Sequence, residues 1–194
     1  MSRRRIRKML REMSGGGPVS ATSALGTIRT LSRLAFYAEQ FGYRYASVHE
    51  VNRKFQILVV PDPDPRALAR AAHNWTWYPD AADGGALPPL DADAVAVLKA
   101  RMSFELATRF TEKQMIGITV FGFTGLAVGP WIKFGLVVGG PLWVAFMALV
   151  AVLLVANRRY RAKHSAVLES AGFTAVTDPD GRPRYLPPAA DRRD

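Results

Sequence analysis

The sequence predicts an α+β protein in which a two-helix transmembrane hairpin carries a small cytosolic domain built from the N- and C-terminal parts of the chain. Met115–Asn157 contains a single ionisable residue, Lys133, while the rest of the 194-residue chain is densely charged. Strand-like and helix-like patterns precede this apolar segment and return after it. We therefore divide the chain into a basic flexible arm (1–18), an α+β domain (19–114), a helical hairpin (115–157) and a cytosolic helix extension with a β-hairpin (158–194).

The N-terminal arm is strongly basic and lacks the apolar core of a secretory signal. Clustered arginines neutralise phosphates, so anionic lipid headgroups and nucleic acid are both candidate partners. An amphipathic surface helix with Ile6, Met9 and Leu10 on its apolar side is the alternative to a disordered tail. The residues predicted to contact lipid or nucleic-acid phosphates are Arg3, Arg4, Arg5, Arg7, Lys8 and Arg11.

The domain after the arm begins with a predicted helix over Ser20–Phe41, where apolar residues recur at helical spacing and Gly42 follows as a stop. Two β-rich runs come next, Tyr43–Val48 and Phe55–Val60. They predict two neighbouring strands.

Two further helices are predicted before the apolar segment. Pro65 suits the first position of a short helix. Asp91 suits the N-cap of a long one, whose apolar stripe continues to Phe110. Because no Pro or Gly separates the long helix from the first span, we expect one continuous rod that enters the bilayer and transmits movement of the domain.

The apolar segment is predicted to contain two helices. Met115–Ile132 is an uncharged run of 18 residues and Phe134–Asn157 one of 24, and a crossing needs about 20. One helix over the whole segment would be about 65 Å long, far more than a bilayer requires. We expect Gly129-Pro130 to end the first helix, with helices at about 113–130 and 135–157, and Pro141 to kink the second.

Flanking charge predicts the orientation. Basic residues precede the first span and follow the second, while the connection holds only Lys133. The positive-inside rule then places both termini in the cytoplasm of a multi-pass inner-membrane protein. The basic cluster beside the second span consists of Arg158, Arg159, Arg161 and Lys163.

Four glycines in two GxxxG patterns are candidate helix-packing positions, because small residues let helix backbones approach closely in a bilayer. The contact is either within one hairpin or between copies of the chain. These positions are Gly125, Gly129, Gly135 and Gly139.

After the second span we expect the helix to continue to Ser170 and stop near Gly172. Phe173–Thr177 and Arg182–Leu186 then flank an Asp-Pro-Asp-Gly turn, which predicts a β-hairpin. With both termini on one side of the membrane, this hairpin would extend the sheet formed by residues 43–60.

The sequence offers no metal, cofactor or catalytic motif. The three histidines lack ligand spacing, and the paired aspartates at 62/64 and 178/180 are explained by turns. Trp75-Thr76-Trp77-Tyr78 is either a binding surface or a cap on the core of the domain. The spans hold no acidic residue or histidine, which argues against a transporter. No small-molecule substrate is indicated, and we expect a non-enzymatic protein.

The leading functional hypothesis is a bacterial two-helix anchor with a cytosolic interaction domain, an oligomeric component of a membrane assembly. Its partners would be the lipid bilayer and either a second copy or another membrane protein. One alternative is a membrane-linked DNA-binding component of plasmid transfer, which uses the basic arm. Another is a pore-forming or membrane-disrupting effector.

Overall fold

The computed structural model describes residues 3–22, 27–51, 54–109, 112–177 and 183–187. These residues form a mixed α+β protein with six α-helices, one short 3-10 helix and five strands. The chain divides into two compact units, Met1–Leu106 and Ala107–Asp194. The predicted α+β class is confirmed.

Unit 1 contains a three-stranded antiparallel sheet in the order β1-β3-β2. Its strands are β1 (Val19–Thr22), β2 (Tyr43–Val51) and β3 (Lys54–Pro61). Ile57 and Val59 of the central strand are fully buried, and Val59 lies opposite both Val19 and Tyr45. The two predicted strands are therefore present in β2 and β3.

The predicted helix over Ser20–Phe41 is wrong in its first part. Val19–Thr22 forms β1, and the helix α2 covers only Ile28–Gln40. The physical reason is tertiary: β1 pairs with the otherwise free edge of β3 and buries Val19 and Ala21. A four-residue edge strand is too short to leave a clear periodic signal in the sequence.

Unit 1 also contains α3 (Pro65–Trp77), a 3-10 helix at Pro79–Asp83 and nearly all of α4 (Ala92–Ala107), whose last residue belongs to unit 2. The side chain of Asp64 accepts a hydrogen bond from the backbone N–H of Arg66 at 2.8 Å. Asp91 accepts in the same way from Asp93 at 2.9 Å. Both predicted helix starts are confirmed, since these caps satisfy amides that an N-terminus leaves open.

The N-terminal segment differs from the predicted flexible arm. Arg3–Met13 is the helix α1. Tyr43 of the sheet donates its hydroxyl hydrogen to the carbonyl of Met13 at 2.6 Å. The apolar face of α1 is 0–4 % exposed within the core of unit 1 and consists of Ile6, Met9, Leu10 and Met13. Burying such side chains contributes about 1.5–3 kcal/mol each, which outweighs the repulsion of the exposed charges.

The predicted continuous rod is also absent. α4 ends at Ala107, Thr108 and Arg109 are not helical, and the next helix, α5, begins at Glu112. The guanidinium of Arg161 donates two hydrogen bonds to the Ala107 carbonyl, at 2.7 and 3.1 Å. This side chain satisfies a carbonyl at the helix end and makes the break favourable without Pro or Gly.

Unit 2 is dominated by α5 (Glu112–Phe134) and α6 (Leu136–Ser170). Only Gly135 separates them, at φ 70° and ψ −170°, a conformation suited to glycine. The prediction that Gly129-Pro130 ends the first helix is wrong, because α5 continues through Pro130. As expected, α6 includes Pro141 and ends at Ser170.

Side-chain contacts join α5 and α6 at several levels. The rings of Phe123 and Phe146 stack at 4.9 Å. The indole N–H of Trp143 donates to Thr124 at 3.3 Å. Near the other end, the amide of Asn157 contacts the sulfur of Met115 at 3.7 Å. In these contacts, later residues of α6 meet earlier residues of α5.

Both helices are long and apolar enough to cross a membrane. The candidate spans are Lys113–Lys133, with 21 residues, and Val137–Ser170, with 34. The first span includes the whole predicted run Met115–Ile132. The second begins three residues after the start of the predicted run Phe134–Asn157 and extends beyond its end.

The C-terminal strands β4 (Thr174–Thr177) and β5 (Pro183–Leu186) pair with each other as an antiparallel two-stranded sheet. The predicted turn at 178–181 lies outside the described residues. The expected extension of the sheet of unit 1 is wrong. Instead, Tyr185 is buried and donates its hydroxyl hydrogen to Glu169 of α6 at 2.6 Å, which fixes β5 to the end of α6.

Candidate functional site

The six predicted phosphate-contact residues lie together on α1. Because the apolar face of α1 is locked into the core, the remaining sides of the helix present only polar residues. Four of the basic residues are exposed, while Arg5 and Arg7 are half-buried. We call the set the basic face: Arg3, Arg4, Arg5, Arg7, Lys8 and Arg11.

Part of the basic face is held by acceptors. Arg11 forms an ion pair with Asp83 at 2.9 Å, and Arg7 donates to the Asp83 carbonyl at 3.5 Å. Lys8 and Glu12 are 3.7 Å apart, one helical turn from each other. Among the described residues, Arg3, Arg4 and Arg5 form no ion pair, so most of the positive charge of α1 is not compensated by a carboxylate.

The side chain of Arg7 has an unusual environment. Its Nε is buried and has no hydrogen-bond partner among the described residues. The stem packs over Gly84, where an added Cβ would lie 2.8 Å from Cδ of Arg7. Arg4, Arg5, Lys8, Arg11 and the acidic Glu12 line one open groove with it. This groove is a place where an anionic oxygen would find several donors.

The four residues of the basic cluster of α6 differ in their exposure. Arg158, Arg159 and Lys163 are exposed. Arg161 is half-buried and holds the Ala107 carbonyl, as described above. We therefore assign Arg161 a structural role that the sequence did not reveal, and leave the other three as candidates for contact with headgroups.

The four glycines differ in whether a larger side chain would clash with the neighbouring helix. A Cβ at Gly139 would lie 2.8 Å from Cγ of Trp131, so Gly139 permits α6 to approach α5. A Cβ at Gly125, Gly129 or Gly135 would meet nothing within 4 Å. The contact between α5 and α6 therefore does not require glycine at Gly125 or Gly129, and the role of this pattern in helix packing stays a prediction.

The aromatic segment is split between core and surface. Trp75 packs on Phe41 with ring centroids 4.5 Å apart. Tyr78 also packs against the core. Trp77 is 69 % exposed and lies beside His73, with ring centroids 5.9 Å apart. Only Trp77 remains available to a partner.

A half-buried acidic residue, Glu39, was missed by sequence reasoning. Burial raises the pKa of the Glu39 carboxyl to about 7, although a hydrogen bond from the Tyr45 backbone and the charges of Arg101 and Arg70 act in the opposite direction. Arg70 also donates to the Glu39 carbonyl at 3.0 Å. In sequence, Glu39 resembles any polar residue at a helix end, so only the fold reveals its surroundings.

The histidines are not brought together. His49 bonds with Ser47 at 2.9 Å, and His164 lies against Tyr160 with ring centroids 4.4 Å apart. Within the described ranges, no group of three or more His, Cys, Asp or Glu side chains could hold a metal ion.

No family model, curated protein or solved structure matches this chain. The functional argument therefore rests on its own residues. Those residues supply two chemical capacities: a wide apolar surface on α5 and α6, and a dense array of cationic donors on α1.

Proposed function

We propose that the chain is a non-enzymatic integral membrane protein, in which α5 and α6 form a helical hairpin across the bilayer and unit 1 is a cytosolic interaction domain. One observation carries the proposal: large apolar side chains point outward along both helices. Phe121, Ile132 and Val137 are 83 %, 82 % and 85 % exposed. In water such a surface would favour aggregation, whereas in lipid it needs no protein partner.

Charge supports an orientation with both termini in the cytoplasm. Lys133 lies at the end of α5 beside the connection, while Arg158 and Arg159 follow the apolar part of α6. The side with more basic residues is the cytoplasmic one by the positive-inside rule.

We expect single-cysteine variants to report this topology, since the chain has no native cysteine. In intact cells, a membrane-impermeant maleimide should label Lys133→Cys. It should label Ser14→Cys and Ser170→Cys only after the membrane is permeabilised. Equal labelling of all three positions in intact cells would contradict the hairpin. Labelling of Ser14→Cys and Ser170→Cys, but not of Lys133→Cys, would contradict the orientation.

The proposal includes self-association through the open glycine pattern of α5. Gly125 and Gly129 make no use of their small size within the hairpin. Close backbone approach by a second copy would use it. No described contact favours the alternative of a pore: the hydroxyl of Thr119 donates to its own helix at 2.7 Å, and Thr124 accepts from Trp143.

We expect Gly125→Leu combined with Gly129→Leu to shift the protein from dimer to monomer in lipid bilayers. Each ~1.4 kcal/mol of lost packing lowers the association constant roughly tenfold. Energy transfer between donor- and acceptor-labelled copies measures this change. Gly140→Leu is the matched control, because a Cβ there also meets open space. Equal losses in the control, or no loss in the double variant, would rule out association through this face.

A further inference from the structure

We propose that the basic face of α1 is a preformed docking surface for the anionic headgroups of the bilayer in which the hairpin is embedded. This inference rests on the proposed function and names a partner for unit 1, namely negatively charged phospholipids. The surface is a folded element rather than the flexible tail expected from sequence.

The basic face is fixed in place by the core. Leu10 and Met9 are 0 % and 2 % exposed. The hydroxyl of Tyr43 lies within hydrogen-bond distance of two backbone carbonyls, that of Met13 at 2.6 Å and that of Gly17 at 3.2 Å. This contact holds the end of α1 to the sheet. Eleven residues of helix extend about 16 Å. Cationic groups held along this length lose less side-chain and backbone entropy on binding than those of a disordered arm.

The charge of this surface is one-sided. α1 holds six basic residues and one acidic residue, Glu12, a net of +5. Arg33 of α2 and Arg3 line a neighbouring depression, which extends the positive surface beyond α1. The guanidinium and ammonium groups of this surface are charged donors. Phosphate oxygens are suitable acceptors for such donors.

A membrane is favoured over nucleic acid by connectivity and by composition. Only residues 108–111 separate α4 from α5 in the chain. If α5 lies in the bilayer, this short link keeps unit 1 at a high effective concentration of headgroups. The basic face also lacks aromatic side chains on which bases would stack.

The test uses the full chain in nanodiscs made of phosphatidylcholine alone or mixed with phosphatidylserine. A fluorophore on Ser14→Cys, at the exposed end of α1, reports proximity to lipids that carry a quencher on the headgroup. We expect strong quenching in the anionic discs, weak quenching in the neutral ones, and loss of the difference at high salt.

Reversal of the exposed part of the basic face, in Arg3→Glu with Arg4→Glu and Lys8→Glu, should reduce the docking equilibrium by more than roughly 100-fold. Loss of each basic residue near an anionic surface costs roughly fivefold, and the three introduced carboxylates are repelled in addition. Neutralisation of the same residues to Gln should give an intermediate loss, and circular dichroism checks the fold of both variants. The matched control is Arg44→Glu with Arg66→Glu and Lys99→Glu, three exposed residues elsewhere on unit 1 with the same change in charge. It should behave like the parent protein.

The outcomes separate this inference from the proposed function. A protein that fails to enter nanodiscs overturns the membrane hairpin itself. A protein that enters them, but shows the same quenching in both lipids or the same loss in both triple variants, overturns docking by the basic face alone. Binding of duplex DNA in neutral discs that disappears with the Arg3, Arg4 and Lys8 reversals, without a response to phosphatidylserine, would assign the surface to nucleic acid instead.

Discussion

Replacing Leu10 with alanine is expected to lower the free energy of unfolding of unit 1 by about 2–5 kcal/mol. Leu10 is fully buried, although it belongs to a helix in which most residues are charged. The substitution removes three carbon atoms from a packed core and leaves a cavity that the neighbouring strands can fill only in part. Opening free energies of the β2 and β3 amides, from hydrogen exchange of the full chain in detergent micelles, measure the effect.

The control for this prediction is an exposed residue of the same helix. Arg4 is exposed, so Arg4→Ala should change the same opening free energies by less than about 0.5 kcal/mol. If Leu10→Ala left the exchange of β2 and β3 unchanged, α1 would not belong to the core. The segment would then be the flexible arm that its charge alone predicts.

The helix α1 shows that a highly charged segment can still contribute apolar side chains to a protein core. The spacing of Ile6, Met9 and Leu10 predicts an amphipathic helix, but it does not reveal what covers the apolar side. A bilayer and a protein core could each cover this apolar side. The fold decides in favour of the core, where Ile6, Met9 and Leu10 are buried and the hydroxyl of Tyr43 is bonded to the carbonyl of Met13.

Helix ends and long strands were predicted correctly where the residues that determine them are neighbours in the sequence. Asp64 before Pro65 and Asp91 before Asp93 form hydrogen-bonded caps, and Gly172 follows the end of α6 in a left-handed conformation at φ 81°. The two longest strands were also predicted because each has enough β-branched and aromatic residues to stand out.

The errors arise where a distant residue decides the structure. The strand β1 is stabilised by pairing with the edge of β3. The end of α4 is stabilised by Arg161, more than fifty positions later, which donates to the carbonyl of Ala107. α5 continues past Pro130, where Trp131 packs against Gly139 of α6. Within the candidate site, the structure places the six basic residues on one helix, and their contact with phosphates stays a prediction. The surroundings of Arg7 and Glu39 could be recognised only from the fold.

Glu39 makes the stability of unit 1 depend on pH near neutrality, in the direction opposite to that of an ordinary ion-paired carboxylate. Burial raises the pKa of Glu39 from 4.5 to about 7. Between these values the folded state binds more protons than the unfolded state, so stability falls as pH rises. The favourable contribution is complete below about pH 4.5 and is lost as pH passes through 7.

The size of this effect follows from the shift. A difference of 2.5 pH units corresponds to about 3 kcal/mol at 1.36 kcal/mol per unit, which is an upper bound because part of the residue is exposed to water. The charged groups that face Glu39 are Arg101 of α4, Arg70 of α3 and Asp62 after β3. The two arginines limit the shift, and Asp62 increases it.

We therefore expect Glu39→Gln to stabilise unit 1 by up to about 3 kcal/mol at pH 8 and by almost nothing at pH 4.5. The amide oxygen can still accept from the Tyr45 backbone, so the variant removes the charge but keeps the hydrogen bond. Opening free energies from hydrogen exchange, corrected for the intrinsic pH dependence of amide exchange, give the difference between variant and parent at each pH.

Glu12→Gln supplies the comparison for an exposed carboxylate. Its pair with Lys8 lies on the surface at 3.7 Å, and such pairs are worth about 0–1 kcal/mol. A pH-independent difference between Glu39→Gln and the parent would mean that the Glu39 carboxyl remains solvated in the folded protein. A difference that grows from pH 5 to pH 8, and does so only for Glu39, would establish that unit 1 keeps a protonatable carboxyl in its interior.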